Sequence, residues 1–247
     1  RIEVESVTSP PSSNHKWEKY KLFQSSISSD GATIVFCGGP VTAMSWAPTP
    51  YDQATEDQIL AISVTPDPDK QYFLNSKYTD KGLIQFWNYG PLKNNTVPTD
   101  KPKLEFCIAH THGVIWWMEW CPSGCYDSAD LDGLRKLGLL AVACSDSYVY
   151  VYTVIRPQQM LGKIFDVVPT FKLVVEDGND INLGEIPGQA TKLSWTRGSG
   201  HSYIAIGYSN GVISVFNVHT ESGLLKKRVN DVFILKPMLN FKAHGDA

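Results

Sequence analysis

The chain has 247 residues, of which 43% are hydrophobic and 19% are charged. Twenty-two Lys and Arg residues oppose 25 Asp and Glu residues, which gives a formal net charge of −3 at pH 7. This composition suits a sizeable folded core and excludes wholesale disorder. The charge balance provides no global attraction to nucleic acid, so any contact with nucleic acid has to come from a local patch.

Neither a membrane span nor a disulfide framework is predicted. No run of residues approaches the ~18 apolar residues that are needed to cross a bilayer, and the opening RIEVESVTSPPSS does not resemble a signal peptide. The five cysteines are an odd number, and their spacing suits free thiols in a reducing compartment. We therefore expect a soluble intracellular protein without a membrane partner.

One pattern of four short strands occurs three times along the chain. The first unit (41–110) contains VTAMSW from 41, ILAIS from 59, GLIQFW ending at 87 and LEFCIAH from 104. The second (114–176) contains VIWWMEW from 114, LLAVACS from 139, SYVYVY ending at 152 and TFKLVVE from 170. The third (190–244) contains ATKLSW from 190, YIAIGYS from 203, GVISVF ending at 216 and MLNFKAH from 238.

The spacing of the units predicts a β-propeller. The tryptophans that end the first strands, Trp46, Trp120 and Trp195, are 74 (120 − 46) and 75 (195 − 120) residues apart. Four short strands per unit at a regular spacing are typical of propeller blades. Residues 1–30 are predicted to be irregular and residues 31–39 to be the outer strand of an earlier blade. Residues 245–247 are predicted to begin a further blade.

The units resemble WD40 repeats at particular positions. His112-Gly113 and His244-Gly245 occupy the place of the Gly-His pair in reversed order, and Asp146-Ser147 and Asn210-Gly211 occupy the hairpin before the third strand. The repeat positions that we assign are Trp46, Trp87, His112, Trp120, Asp146, Tyr152, Trp195, Asn210, Phe216 and His244. Because Tyr152 and Phe216 replace the usual Trp, the repeats are degenerate.

The predicted fold class is therefore all-β: a WD40-type β-propeller with three complete blades and partial blades at both ends. Three blades cannot close a ring of ~4–8 blades, and an open ring exposes sheet edges. We expect a part of a larger, seven-bladed ring. In regular blades a hydroxyl on the second strand joins a His, Asp and Trp tetrad. Val142 and Ile206 stand at that position, so the second and third blades are predicted to rely on apolar packing.

The tryptophan-rich strand VIWWMEW is predicted to be buried on both faces. Simple alternation places Val114, Trp116, Met118 and Trp120 on one face and Ile115, Trp117 and Glu119 on the other. Both faces of a blade pack against neighbouring blades, which favours burial over a peptide-binding surface.

Metal sites and catalytic motifs find little support in the sequence. Cys121 and Cys125 could join His110 and His112 around zinc, but a strand of about seven residues would separate the two pairs by roughly 20 Å. Asp127, Asp130 and Asp132 lack the closing Glu of a calcium loop. No phosphate-binding loop, nucleophile elbow or His-Glu-x-x-His motif is present. We expect no cofactor and no small-molecule substrate.

The insertions between strands carry the residues that we consider for binding. The insertion at 219–237 contains Lys226, Lys227 and Arg228, the densest basic run of the chain. Two interpretations stay open: a solvated loop, or a patch that contacts phosphate groups without reading base sequence.

Two stretches of the second unit carry a closer resemblance. AHTHGVIWWMEWCPSG and LGLLAVACSDSYVYVYTV are similar to the WD40 beta subunit of general transcription factor IIIC, and GGPVTAMSWAP and GLIQFWNYGPL are similar to its preceding blade. The resemblance implies a non-enzymatic nuclear scaffold that pairs with the largest (alpha) subunit and with the other subunits. It also implies that the complex binds internal promoters of transfer RNA genes and recruits RNA polymerase III.

Two further questions follow from the resemblance. Promoter DNA could be held by Lys226, Lys227 and Arg228 or only through the other subunits of the complex. The alternative function is a WD40 interaction module that reads a peptide or a histone tail through its central opening.

Overall fold

The protein is described by a computed structural model over residues 18–49, 57–65, 67–91, 100–123, 135–157, 162–175, 188–198 and 200–245. Every regular element within these ranges is a β-strand, so the predicted all-β class is confirmed. The same ranges contain no helix with the length and apolarity to cross a membrane.

The strands form four sheets. In chain order they are β1 (Ser25–Ile27), β2 (Thr33–Val35), β3 (Val41–Trp46), β4 (Ile59–Val64), β5 (Gly82–Asn88), β6 (Lys103–His110), β7 (Ile115–Trp120), β8 (Arg135–Cys144), β9 (Val149–Arg156), β10 (Lys163–Asp166), β11 (Phe171–Leu173), β12 (Ala190–Trp195), β13 (Tyr203–Tyr208), β14 (Val212–Asn217), β15 (Lys226–Val229), β16 (Val232–Leu235) and β17 (Leu239–Lys242).

Each predicted unit is an antiparallel meander. The first sheet has the order β10-β6-β5-β4-β3, the second β15-β16-β11-β9-β8-β7 and the third β12-β13-β14-β17. All four predicted strands of each unit are present, as expected for WD40-type blades. Within the described residues the sheets do not close into a ring, in agreement with a partial propeller.

The N-terminal segment contains a strand that the sequence analysis did not predict. Strand β1 lies within residues 1–30 and forms an antiparallel hairpin with β2, so the strand expected in 31–39 belongs to a separate two-stranded sheet. Gly31 has a φ of 86° and allows the tight connection, which the bond from the Ser28 amide to the Ala32 carbonyl closes. Because β1 is three residues long, its sequence shows no alternation.

Two of the insertions between the predicted strands themselves contain strands. Strand β10, within 155–169, pairs in parallel with β6 of the first unit. Strands β15 and β16, within 219–237, form a hairpin, and β16 pairs in parallel with β11 of the second unit. Each insertion of one unit therefore widens the sheet of the preceding unit. We call the β15–β16 hairpin the outer hairpin.

The inner strands share a β-bulge that changes which side chains are buried. The register shifts between Val41 and Ala43 in β3, between Ile115 and Trp117 in β7, and at the equivalent point of β12. The predicted alternation in VIWWMEW is therefore wrong. Ile115 lies in the same core as Met118 and Trp120, and Trp117 is partly exposed.

The cores lie between adjacent sheets. One core joins the first and second units and contains the stacked rings of Phe86 and Phe106, with centroids 4.4 Å apart. A second core joins the second and third units around Trp195 and Phe216. The Trp120 indole N–H donates to the Ser45 carbonyl across the first junction at 3.2 Å. The three units therefore pack in chain order, as blades do.

Candidate interaction site across the three units

A polar network lies at the start of the second unit, where His112 follows β6 and Asp146 and Tyr150 flank the turn into β9. The His112 Nε2 atom lies 3.0 Å from the hydroxyl of Tyr152, and its Nδ1 atom lies 3.6 Å from Asp146 Oδ2. The Tyr150 hydroxyl donates to the same Oδ2 atom at 2.7 Å. The rings of His112 and Tyr150 are stacked with centroids 3.5 Å apart.

This network corrects the prediction that the second unit relies on apolar packing. Val142 does remove the expected hydroxyl, and it is fully buried. Tyr152, at the position of the usual Trp, supplies a hydroxyl to His112 instead, and Tyr150 supplies one to Asp146. Burial raises the pKa of both tyrosines, and the Asp146 charge adds to the rise, so both hydroxyls stay protonated and can donate.

His110 lies beside this network in a buried position. Its Nδ1 atom accepts the backbone N–H of His112 at 3.3 Å, while its Nε2 atom has no partner among the described residues. Burial, with a smaller contribution from His112, lowers the pKa of His110 to about 4, so the ring is neutral at pH 7. The ring packs against Gly82, where an added Cβ atom would lie 2.6 Å from it.

A cavity of about 720 Å³ opens next to His110. Its lining comes from the N-terminal segment, the first unit and the second unit, and includes Phe23, Cys37, Gln85, Tyr152 and Val168. Burial raises the pKa of the Cys37 thiol to about 11, so this cysteine is protonated at pH 7.

The insertion between β4 and β5 crosses the second unit and reaches the third. We call residues 67–80 the strap. The Gln189 amide, which precedes β12, donates to the Phe73 carbonyl at 2.7 Å and to the Ser76 carbonyl, and its Oε1 atom accepts the Trp116 indole N–H at 2.5 Å. The Ser209 hydroxyl donates to the Leu74 carbonyl at 2.9 Å. One buried glutamine thus joins all three units.

The strap is held in shape by aromatic and ionic contacts of its own. Tyr72 and Tyr78 meet edge to face with centroids 5.0 Å apart, and Lys70 lies over both rings. The Lys70 ammonium donates to both Asp80 carboxylate oxygens at 2.8 and 2.7 Å, and this bonding raises its pKa. At the tip, Phe73 exposes 58% of its surface. The strap therefore presents apolar surface on a fixed backbone.

An ion pair fastens the opposite ends of the first and second units. Arg156, at the end of β9, donates to Glu105 Oε2 and to Asp57 Oδ2, both at 2.9 Å. Asn88 donates to the same two carboxylates at 2.6 and 2.8 Å. Because the Glu105 side chain is largely buried, these partners are needed to compensate its carboxylate.

The basic run lies on the outer hairpin, which corrects its predicted place in a loop. Lys226, Lys227 and Arg228 belong to β15, and the last two are exposed. Lys226 and Arg228 lie over the ring of Phe233 at 5.0 and 5.7 Å. Arg228 also pairs with Asp231 at 3.4 Å, an exposed contact that offsets part of its charge.

The other repeat positions are mainly structural. Trp87, Trp120, Trp195 and Phe216 are buried, whereas Trp46 is half-exposed and meets Tyr89 edge to face. Asn210 accepts the Val212 amide at 3.4 Å, and His244 is exposed. Cys125 and the acidic series Asp127, Asp130 and Asp132 lie outside the described residues. Within those residues no three His, Cys, Asp or Glu side chains group as metal ligands.

Sequence reasoning missed Gln189, Tyr150, Arg156 and Glu105. Glu105 and Tyr150 lie within predicted strands that gave no sign of their polar contacts, and the partners of Gln189 and Arg156 lie far away in the chain: Gln189 bonds Trp116 and Ser76, which are 73 and 113 positions away. The one signal in the sequence was that Gln189, a polar residue, stands directly before the first strand of the third unit.

Comparison with known proteins identifies relatives over most of the chain. It is 32% identical over 228 residues to General transcription factor 3C polypeptide 2 of Homo sapiens and of Pongo abelii, a match that covers 86% of this chain and 25% of each relative. It is 27% identical over 191 residues to transcription factor tau subunit sfc6 of Schizosaccharomyces pombe, covering 75% of this chain and 28% of that protein. No family model matches.

A solved structure, the WD40 domain of Toxoplasma gondii coronin, is 16% identical with a TM-score of 0.39, and the match covers 71% of this chain and 33% of that one. The chain spans about a quarter of the length of the curated relatives that it matches. These relatives confirm the resemblance inferred from the second unit: most of the chain is homologous to one segment of General transcription factor 3C polypeptide 2 and, more distantly, to one of transcription factor tau subunit sfc6.

Proposed function

We propose that this protein is a non-catalytic scaffold subunit of a transcription factor IIIC-like complex in the nucleus. The observation that carries the proposal is the similarity of 86% of the chain to one segment of General transcription factor 3C polypeptide 2. The complex would bind the internal promoters of transfer RNA genes and recruit the RNA polymerase III machinery. The partners of this subunit would be the largest subunit and the other subunits of the complex.

The geometry supports a scaffold because it offers fixed surfaces. The strap is tied to Gln189 and Ser209, so its exposed tip at Phe73 and Leu74 has a defined position relative to all three units. Exposed apolar residues on a rigid frame suit a protein partner. The outer hairpin forms the edge of the second sheet and offers a separate basic surface. Promoter DNA held by the complex would lie against or near this surface.

Affinity purification of the full-length protein from nuclear extract, followed by lysine cross-linking, tests the proposal. We expect recovery of the other subunits of the complex, with cross-links from Lys77 of the strap to a partner subunit. Lys227 reports in the same way on the outer hairpin, and the two lysines can be compared because both are exposed. Recovery of an unrelated assembly without these subunits would refute the proposal. A specific peptide hit on an array would favour a peptide-reading module instead.

A further inference from the structure

The connection between the third and fourth strands of each unit reaches back to the preceding sheet. In the second unit this connection contributes β10, which pairs with β6. In the third unit it contributes β16, which pairs with β11. In the first unit its described end does the same, since the Ser25 hydroxyl of β1 donates to the Pro102 carbonyl just before β6. We call the fourth strand of a unit the acceptor strand, because another strand pairs with its free edge. We call the strand that the following unit's connection adds there the donor strand.

The acceptor strands carry two apolar residues at equivalent positions. The third strand of each unit carries the aromatic repeat position, which is Trp87, Tyr152 or Phe216, and the first apolar residue pairs with the residue just before that aromatic. The second apolar residue lies two positions further along the acceptor strand. These pairs are Phe106 and Ile108 in β6, Phe171 and Leu173 in β11, and Leu239 and Phe241 in β17. Each pair contains one phenylalanine and one aliphatic residue.

The donor strands cover these positions with apolar groups of their own. Phe165 of β10 lies opposite Ile108 and reaches the ring of Phe106, with centroids 6.3 Å apart. Phe233 of β16 lies opposite Phe171, with ring centroids 5.8 Å apart. Each donor thus places a phenylalanine against the phenylalanine of its acceptor.

The third acceptor strand has no such cover among the described residues. Strand β17 pairs with β14 on one edge, and no described strand pairs with its other edge. Leu239 and Phe241 expose 52% and 41% of their surface, whereas Phe106 and Ile108 each expose 2%. Similar side chains in an equivalent register are therefore buried in one unit and bare in another.

We infer that the outer edge of β17 binds a parallel extended strand that carries a phenylalanine or a similar apolar side chain opposite Leu239 or Phe241. The occupant is the connection between the third and fourth strands of a further repeat of the same kind. The two pairings within this chain define its orientation and its side-chain pattern. Main-chain hydrogen bonds supply the attachment, and the apolar pair supplies the selectivity.

Site-specific photo-cross-linking in the natural full-length polypeptide tests this inference. p-Benzoylphenylalanine replaces Phe241 in one variant and Phe233 in the control variant, whose expected product joins β16 to β11. Photo-leucine replaces Leu239 in a third variant, so that the test does not depend on one substitution. The cross-linked peptides are identified by mass spectrometry.

The expected product joins Phe241 to a segment of the same polypeptide that lies between the third and fourth strands of a following repeat. Because the pairing is parallel, Leu239 should react with an earlier residue of that segment than Phe241 does. The inference is overturned if the control reacts while both β17 variants do not. Reaction with another polypeptide, or reaction in the reverse order along the segment, overturns it as well.

Discussion

His112 and Tyr152 are hydrogen-bonded across 40 residues of sequence, with 3.0 Å between Nε2 and the tyrosine hydroxyl. His112 stands where WD40 repeats place their histidine, and Tyr152 stands at the position of the usual Trp. A phenol therefore takes the hydrogen-bonding role of an indole, with its hydroxyl at the far end of a smaller ring. The second unit keeps a polar link between the turn that precedes its first strand and its third strand, although Val142 removes the hydroxyl of its second strand.

Replacing Tyr152 with Phe should lower the free energy of unfolding by about 1–3 kcal/mol, because it leaves a polar atom of His112 without its partner in a largely buried site. Chemical denaturation at pH 7 measures the change. A double-mutant cycle with His112→Ala provides the control. If Tyr152→Phe costs as much in the His112→Ala background as in the parent, the hydroxyl does not act through His112.

Acid should destabilise the protein through His110. The pKa of His110 is about 4 in the folded protein and 6.5 in the unfolded chain, so the unfolded chain binds the extra proton between these values. The contribution to stability is complete above pH 6.5 and is lost as the pH falls towards 4, at up to about 1.4 kcal/mol per pH unit.

Denaturation curves at pH 7 and pH 5 for the parent and for His110→Asn measure this contribution. Both proteins keep every other titrating group, including His112 and Asp146, which influence the pKa of His110. The difference between their pH dependences therefore isolates His110. Equal losses of stability in the two proteins between pH 7 and pH 5 would rule out this contribution.

Gln189→Leu should release the strap. The substitution removes the two amide donors to the strap carbonyls and the acceptor of the Trp116 indole in a buried position. Hydrogen exchange followed by mass spectrometry should show faster exchange across residues 67–80. Ser209→Ala removes the bond to the Leu74 carbonyl and the acceptor of the Gln189 backbone N–H, but it keeps the Gln189 side chain; it is the control and should have a smaller effect. Unchanged exchange in Gln189→Leu would mean that side-chain packing alone holds the strap.

Arg156→Met should lower the free energy of unfolding by about 3 kcal/mol, because it leaves the buried Glu105 carboxylate without its cation. Adding Glu105→Gln should restore part of the loss, since the orphaned charge is then removed. Thermal or chemical unfolding of the two variants measures both effects. A double variant that is less stable than Arg156→Met would show that the buried charge is not the source of the cost.

The strands of the three units could be predicted because each carries a strong local pattern. VTAMSW and ATKLSW become β3 and β12 with the predicted bounds. Strands β10 and β16 could not be predicted in the same way, because each has four residues and is formed by pairing with a strand of the preceding unit. The shared bulge in the inner strands was also missed, since it depends on backbone pairing and not on residue type.

In the candidate site, too, the repeated residues could be predicted and the contacts between distant segments could not. Trp87, Trp120 and Trp195 were identified from their repetition, and their burial follows from their place in the cores. The strap contacts could not be predicted, because Gln189 resembles any other polar residue until the fold brings it beside Phe73. The position of the basic run was read from composition, which indicates charge but not whether the backbone is a loop or a strand.

The salt dependence of promoter binding should report whether the outer hairpin contacts phosphate groups. Each phosphate contact that Lys226, Lys227 or Arg228 makes would contribute about one to the slope of log affinity against log salt, uniformly across sequences. At ~0.15 M salt, exposed charges act over ~8 Å, so distant charges of the complex do not substitute for them. Arg228 should contribute least of the three, because Asp231 lies 3.4 Å from it.

The measurement compares the assembled complex carrying Lys226→Ala, Lys227→Ala and Arg228→Ala with a control carrying Lys101→Ala, Lys103→Ala and Lys163→Ala. Both variants lose three exposed or partly exposed cations, so the overall charge change is matched. If the outer hairpin contacts DNA, the first variant lowers the slope by about one to three and the control does not. Equal slopes in both variants and the parent would assign DNA binding to the partner subunits and leave this chain as a protein scaffold.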